Sequence, residues 1–337
     1  MSTAKPGFSP WRFCVAPMMQ YTDRHFRYLA RIMSVHARLY TEMVACGALL
    51  HGDSDRFLKH ADFELPVALQ IGGSDPHELA RAAILGQQAG FCEINLNVGC
   101  PSARVNAGQF GASLMANPNL VADCVSAMHA VVDVPVTVKT RIGIDNHDSY
   151  TELATFVETI AAAGASVIIV HARKAWLEGL SPRENREIPP LRYDIVRQLK
   201  WDFPHLTIVI NGGIESIEQA SQHVDTVDGV MLGRASYLTP YVLSTVDRDI
   251  FGSTKQRLNR FEIFQRYMEY AQREIESGTY LRHLAKPLHY LFHGQPGARQ
   301  WRRHLSEHCT ASSAGIEALA TALRWVERAV TPEPMAI

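Results

Sequence analysis

Two hydrophobic patterns alternate along the first 235 residues of the chain. Short apolar runs end at Gly, Pro, Asn or Asp, and each run is followed by a longer segment with helical spacing. The eight runs are 13–16, 39–42, 67–71, 93–97, 136–140, 167–171, 207–211 and 229–232. The run VIIV at 167–170 is β-branched and apolar throughout, which is typical of parallel strands buried on both faces.

The segments between the runs carry amphipathic helix patterns. In 76–88, Leu79, Ala82, Ala83 and Leu85 recur close to a 3.6-residue period, and a second pattern over 150–163 ends at Gly164, a C-terminal cap. Eight strand-then-helix units predict an α/β fold of the (β/α)8 or TIM-barrel type, which usually takes about 250 residues. A doubly wound open sheet is the alternative.

The pattern changes after Tyr237. From about Thr254 the sequence is helical and basic, and Phe261, Phe264, Met268 and Ile275 approximate one amphipathic face. We therefore predict a barrel domain over residues 1–244, a small helical domain over 245–330, and a flexible tail over 331–337.

Charge follows the same division. The formal net charge of the chain is −1, but residues 1–250 carry −5 and residues 251–310 carry +5. An acidic barrel joined to a basic helical segment is compatible with a local nucleic-acid-binding surface. The apolar content of 47% and charged content of 20% exclude disordered, collagen-like and coiled-coil classes.

The chain has no apolar stretch of membrane-spanning length and no signal-peptide pattern at its start, so we expect a cytoplasmic protein without a membrane partner. Its six cysteines, at positions 14, 46, 92, 100, 124 and 309, include no C-x-x-C pair. We expect free thiols, mostly buried, and no metal site.

Polar, glycine-rich or Pro-Met residues end seven of the eight predicted strands. They are Pro17-Met18-Met19, Gln70, Asn95 with Asn97, Lys139 with Arg141, His171 with Arg173, Asn211-Gly212-Gly213 and Gly233-Arg234. Barrel enzymes carry their chemistry at the carboxyl ends of the strands, so these side chains are expected to converge on one mouth. The glycines and Arg234 after the last two strands predict a cradle for a phosphate-bearing ligand.

The segment 95–111 places Cys100 in a glycine-rich loop at this mouth. A thiol with a reference pKa of about 8.5 is mostly protonated near neutrality, so it serves as a proton donor or as a nucleophile. No Cys-His-Asn protease spacing favours the nucleophile.

Eight motifs at these strand ends resemble those of the tRNA-dihydrouridine synthases. They are APMM at 16–19, TEM at 41–43, LQIGG at 69–73, NLNVGCP at 95–101, VKTRIG at 138–143, HAR at 171–173, NGGI at 211–214 and LGR at 232–234. The stretch 171–191 resembles the A-type subfamily, which modifies uridines 20 and 20a of tRNA.

The resemblance implies FMN as cofactor and NADPH as reductant. It places Pro17, Met18, Met19 and Gln70 against the isoalloxazine ring, and Lys139 and His171 on its polar side. The implied phosphate ligands are Asn211, Gly212, Gly213, Gly233 and Arg234. A cation such as Lys139 beside the flavin pyrimidine ring would stabilise the anionic reduced form.

The implied reaction is reduction of the uracil C5–C6 double bond, with hydride passing to C6 and a proton from Cys100 to C5; NADP⁺ accepts electrons in the reverse sense. The uridine must be flipped out of the D-loop to react, and Asn97 is expected to position it. The other candidate tRNA contacts are Arg183, Arg186, Arg299 and Arg302, with Trp301 and Arg303 beside the last two.

Two other functions remain open from the sequence: an FMN oxidoreductase acting on a small molecule, of the dihydroorotate dehydrogenase kind, and a tRNA-binding factor without catalysis. The expected oligomeric state is a monomer.

Overall fold

The computed structural model describes residues 8–103, 105 and 108–330. Within these ranges one parallel sheet closes on itself, with β1 bonded to both β2 and β9, and β2 bonded to β4. The strands are β1 Phe13–Val15, β2 Arg38–Tyr40, β3 Val44–Ala45, β4 Val67–Gly72, β5 Glu93–Val98, β6 Val136–Arg141, β7 Val167–His171, β8 Thr207–Asn211 and β9 Gly229–Leu232. Eight of them form the barrel, and the short β3 pairs with the far end of β4. The predicted (β/α)8 barrel is confirmed, and the open sheet is not formed.

Helices follow the barrel strands as the sequence pattern predicts. They are α1 Arg24–Met33, α2 Cys46–His51, α3 Ser54–Leu58, α4 Pro76–Gln88, α5 Pro118–His129, α6 Tyr150–Ala162, α7 Tyr193–Asp202, α8 Ile217–Ser221 and α9 Ala235–Leu238. The Asp75 carboxylate caps α4 by accepting from the Glu78 N–H, and Ser149 and Glu152 form a capping box on α6. Gly164 follows α6 with φ of +113°, as expected for its predicted cap role.

Alternate residues of each strand face opposite sides of the barrel wall. On β7, Val167 and Ile169 belong to the cluster inside the barrel, whereas Ile168 and Val170 pack in the larger core between strands and helices. This explains why the run is apolar throughout, because both faces of the strand are buried.

Five further helices follow the barrel: α10 Val246–Asp249, α11 Arg260–Glu276, α12 Leu281–Ala285, α13 Ala298–His308 and α14 Glu317–Val330. Helix α11 packs on the barrel helix α1, where Tyr28 stacks on Tyr270 with ring centroids 3.8 Å apart. His25 Nδ1 lies 2.7 Å from the Tyr270 hydroxyl, and Arg24 pairs with Glu274. Apolar side chains of this region belong to the same continuous core as those of the barrel helices.

No helix in the described ranges is both long and apolar enough to cross a membrane. The same ranges contain no group of three His, Cys, Asp or Glu side chains arranged to hold a metal ion. All six cysteines are free thiols, four of them buried. Burial raises the pKa of Cys46 to about 12 and that of Cys309 to about 11, so these thiols are unreactive core residues.

Candidate active site

The carboxyl ends of the strands bring the predicted residues to one rim of the barrel. Neighbouring strands pair Asn97 with Lys139 and His171 with Asn211, and Gln70 is paired with Asn95. The convergence follows from the parallel register, since every strand ends at the same edge.

Cys100 lies half-buried in the loop after β5. Its backbone N–H donates to Asn97 Oδ1 at 2.9 Å, its carbonyl accepts from the Ala112 N–H at 3.0 Å, and its Sγ is 3.5 Å from Ser102 Oγ. A Cβ on Gly111, whose φ is +75°, would lie 2.6 Å from the Cys100 carbonyl oxygen. Glycine at this position therefore lets the chain approach the Cys100 backbone closely.

Burial keeps His171 neutral and makes Lys139 titrate near neutrality. Burial, reinforced by Arg141, lowers the pKa of Lys139 to about 7 and holds the pKa of His171 well below its ordinary value. Lys139 Nζ donates to Asn211 Oδ1 at 3.1 Å, and Asn211 Nδ2 donates to the Met231 carbonyl at 2.7 Å. An anionic ligand beside Lys139 would restore its positive charge.

The loops after β8 and β9 offer unused hydrogen-bond donors. Among the described residues, the N–H groups of Gly212, Gly213, Gly233 and Arg234 donate to no protein acceptor. Gly212 and Gly213 have φ of +113° and +67°, and a Cβ on Gly212 would lie 2.4 Å from His171 Cδ2. Arg173 Nε is buried close by without an acceptor. Orphaned donors around glycine backbone fit the phosphate of FMN.

Arg234 also contacts the long loop after β7, residues 172–191. Its Nη1 donates to Glu187 Oε1 at 2.8 Å, and Arg183 Nε lies 3.6 Å from the same oxygen. Arg186, from this loop, is exposed and close enough to Cys100 and Tyr21 for their charges to affect its pKa. Of the four arginines predicted to bind tRNA, Arg183 and Arg186 therefore lie at the barrel mouth.

The exposure of the apolar residues in the loop after β1 increases along the chain. Pro17 and Met18 are half-buried, and Met19 is 57% exposed. The Met18 carbonyl accepts from the N–H groups of Tyr21 and Thr22, which fixes the turn. The exposed Met19 side chain is therefore held at the mouth by a hydrogen-bonded loop.

Asn97 and Gln70 are more engaged with the protein than the sequence predicts. Asn97 Oδ1 accepts from the N–H groups of Gly99 and Cys100, and Asn97 Nδ2 donates to Gln70 Oε1 at 2.9 Å. Only the second N–H of Asn97 Nδ2 is left to position a uracil.

The remaining predicted contacts lie on α13. Arg299 is exposed and Arg302 half-buried, and neither makes an ion pair within the described ranges, whereas Arg303 pairs with Glu307. Trp301 is completely buried, donates its indole N–H to the Leu288 carbonyl at 3.0 Å and packs against aromatic rings. The prediction that Trp301 belongs to an RNA-facing surface is wrong, because this indole is part of the core.

Arg141 connects two loops at the barrel mouth. The strand-end pattern predicts its position but no role for it. Its Nε donates to the Gly99 carbonyl at 2.9 Å, and its Nη1 donates to the carbonyls of Lys174 and Asn185 at 2.9 and 3.0 Å. The guanidinium thus ties the Cys100 loop to the β7 loop. The sequence signal for it is alternation, since Arg141 lies two residues beyond Lys139 on the same face of β6.

A closed parallel barrel with free backbone donors and arginines at its rim defines a TIM-barrel protein with a site for a phosphate-bearing ligand. The family described as "Dihydrouridine synthase (Dus)" matches residues 14–327, and the chain belongs to it. This membership confirms the predicted family, and with it a flavin-dependent enzyme that uses FMN and NADPH.

Similar proteins cover nearly the whole chain. The "tRNA-dihydrouridine(20/20a) synthase" of Shewanella oneidensis is 55% identical over 315 residues, 94% of each chain. The protein of that name from Escherichia coli K12 is 55% identical over 94% of this chain and 91% of its own, and that of Synechocystis is 56% identical over 92% and 93%. A solved complex of 2-naphthoyl-CoA reductase matches with a TM-score of 0.55 at 13% identity, over 71% of this chain and 51% of that one, which is a likeness of fold alone.

Proposed function

We propose that this enzyme reduces the C5–C6 double bond of uridines 20 and 20a in the D-loop of tRNA. The observation that carries the proposal is the 55% identity, over 94% of each chain, to a synthase named for these two positions. The rim supports the same chemistry, because a thiol, a titratable lysine and an anion cradle meet at one mouth.

The cofactor and the chain divide the reaction between them. When bound, FMN supplies the hydride for uracil C6, having been reduced by NADPH. The proposed cofactor ligands are Pro17, Met18, Met19, Gln70, Lys139, His171, Asn211, Gly212, Gly213, Gly233 and Arg234. Backbone N–H groups and the Arg234 guanidinium would hold the phosphate, and a protonated Lys139 would stabilise negative charge on the ring.

Cys100 completes the reduction. Its thiol proton goes to C5 as hydride goes to C6, which leaves a thiolate that recovers a proton from solvent. The neighbouring Lys139, Arg141 and Arg186 would stabilise that thiolate, because a negative charge on Cys100 opposes the lowering of the pKa of each by burial. Asn97 is proposed to contact the flipped uracil through its remaining N–H.

The helical segment is the proposed tRNA grip. Residues 1–244 would serve as the FMN-binding domain and residues 245–330 as the tRNA-binding domain; the predicted tail 331–337 lies outside the described residues. Arg183 and Arg186 would contact tRNA at the mouth, and Arg299 and Arg302 on α13. We propose that the protein works as a monomer in the cytoplasm, because one chain supplies both regions.

Incubation of the protein with FMN, NADPH and unmodified tRNA tests the proposal, with dihydrouridine mapped by position. We expect product at positions 20 and 20a. Product at other uridines would contradict the positional assignment, and turnover of free dihydroorotate without tRNA product would favour a small-molecule oxidoreductase.

A further inference from the structure

A row of polar side chains runs through the interior of the barrel, where apolar packing is usual. It starts at Glu93 near the amino end of β5 and ends at Asn97 near the rim. Its members are each at most 7% exposed: Glu93, Thr137, Asn95, Gln70 and Asn97. Buried polar groups persist when each has a hydrogen-bond partner, and here every one does.

The row is continuous. Thr137 Oγ1 donates to Glu93 Oε1 at 2.5 Å, and Asn95 Nδ2 donates to Thr137 Oγ1 at 2.7 Å. Gln70 Nε2 then donates to Asn95 Oδ1 at 2.8 Å, and Asn97 Nδ2 donates to Gln70 Oε1 at 2.9 Å. We name these five residues the axial chain.

The lower end sets one direction for the axial chain. Glu93 is ion-paired with Arg38 and also accepts from the Tyr40 hydroxyl and the Trp11 indole N–H, each at 2.8 Å. A carboxylate only accepts, so the Thr137 hydroxyl must donate to it. Thr137 Oγ1 therefore accepts from its other neighbour.

The rim end sets the same direction independently. The N–H groups of Gly99 and Cys100 can only donate, so the atom of Asn97 that they meet is its oxygen. Asn97 Nδ2 then faces Gln70 Oε1. Both ends require one orientation for every amide between them, so no amide can flip without leaving two acceptors or two donors face to face.

This orientation determines what the axial chain offers to a ligand. The Asn97 carbonyl oxygen already accepts two hydrogen bonds, so the group that this amide has left is the second N–H on its nitrogen. Gln70 keeps a second N–H on Nε2 and one lone pair on Oε1. An atom of cofactor or substrate that meets the Asn97 amide must therefore be an acceptor, such as a flavin or uracil carbonyl oxygen.

We propose that Thr137 and Asn95 are positioning residues that hold the Asn97 amide, and through it the backbone of Gly99 and Cys100, in place for proton delivery. The catalytic part of this inference rests on the proposed function, in which Cys100 donates the proton. The structural part, control of the Cys100 loop from inside the barrel, does not depend on tRNA.

Thr137→Val in the FMN-loaded enzyme tests the structural part. The change keeps the side-chain volume and removes both the donor to Glu93 and the acceptor for Asn95. We expect amide hydrogen exchange at Gly99 and Cys100 to become about three- to tenfold faster, the size of one weakened hydrogen bond. Thr137→Ser, which keeps the hydroxyl, should restore the wild-type exchange.

Ser244→Ala is the control. Ser244 is buried after the last barrel strand, and its hydroxyl donates to the Tyr241 carbonyl at 2.6 Å, outside the axial chain and the Cys100 loop. Exchange at Gly99 and Cys100 should not change in this variant. If Thr137→Val does not accumulate as folded holoenzyme, Asn95→Asp replaces it, because that change keeps the shape and turns the donated N–H into an oxygen.

A double-mutant cycle tests the catalytic part. In single turnovers of reduced enzyme with tRNA, we expect Thr137→Val to slow flavin oxidation about tenfold in the Cys100 enzyme and less than twofold in the Cys100→Ala background. Equal slowing in both backgrounds, or unchanged exchange at Gly99 and Cys100, would overturn the proposal. Hydrogen exchange is measured without tRNA. The exchange experiment therefore still tests the structural part if the proposed function is wrong.

Discussion

Cys100 lies within electrostatic range of three cationic side chains, Lys139, Arg141 and Arg186. A proton donor placed in this way becomes an anion in the reaction, and the surrounding cations lower the cost of that charge. The same arrangement also gives a sharp expectation for its removal.

Cys100→Ala should slow tRNA uridine reduction by about 10²- to 10⁴-fold, the usual contribution of a positioned general acid. FMN content and the rate of flavin reduction by NADPH should stay as in the wild type. The matched control is Cys92→Ala, since Cys92 is also half-buried but donates its thiol to the Val67 carbonyl. Equal product rates at equal FMN occupancy would refute the proton-donor role.

Lys139 titrates near neutrality because burial lowers its pKa to about 7. Its cationic form is present below that pKa and is lost as pH rises through it. FMN binds as an anion, so its affinity should fall as pH rises through about 7. Titration of the FMN-free protein with FMN over the neutral pH range would show this inflection, and Lys139→Met should abolish it.

At the scale of single residues, the sequence predicts which side chains reach the rim, because strand ends are visible as the ends of apolar runs. It does not predict the bonds among them. The sequence predicts only a substrate contact for Asn97, whereas its oxygen holds the Cys100 loop, and this depends on rotamers that spacing does not determine. The sequence likewise does not predict that Glu93 bonds to Arg38 and Tyr40 on another strand.

Among the elements, the β8 loop is tightly constrained by its backbone geometry. Gly212 combines a φ of +113° with a hypothetical Cβ only 2.4 Å from the His171 ring. Gly212→Ala should therefore strain the backbone by about 1–2 kcal/mol and displace His171. We expect a lower Tm without cofactor and a loss of bound FMN.

Gly47→Ala is the control for that change. Gly47 lies in α2, has no positive φ, and a Cβ there would meet no atom within 4 Å. Alanine should leave Tm equal or slightly higher, because it favours helix over glycine. If Gly212→Ala matched this control in both Tm and FMN content, the β8 loop would not be the constrained cradle described above.

The elements themselves were largely predictable, since hydrophobic period separates strand from helix. Helix 76–88 is found with the predicted bounds, and 150–163 ends one residue earlier than predicted. The second strand is Arg38–Tyr40 rather than 39–42. The Gln70 N–H donates to the Thr41 hydroxyl instead of to a strand carbonyl, and this ends the ladder. The placement of Trp301 beside the RNA-facing arginines is wrong, because helical spacing alone does not show which face of α13 is buried.

For the whole molecule, the main feature is the separation of charge. The −5 of residues 1–250 and the +5 of residues 251–310 place the basic excess away from most of the barrel sequence. A polyanion such as tRNA would be attracted to the second region and repelled by much of the first. This asymmetry makes salt dependence a sensitive measurement.

Arg299→Ala combined with Arg302→Ala should weaken tRNA binding and reduce the slope of log affinity against log salt by about 1.5 to 2, as expected for two lost phosphate contacts. Arg81→Ala on α4, which removes an exposed arginine of the barrel, is the control and should change neither quantity. An unchanged salt slope in the double variant would remove α13 from the binding surface.

The guanidinium of Arg141 joins two loops that a protein engineer would wish to exchange separately. It holds the Cys100 loop through Gly99 and the arginine-bearing β7 loop through Lys174 and Asn185. A β7 loop grafted from a relative with another positional preference would have to bring carbonyl groups to the same two points. Without them the transplant would alter the reaction chemistry together with the choice of uridine, so new specificity and retained turnover must be designed as one problem.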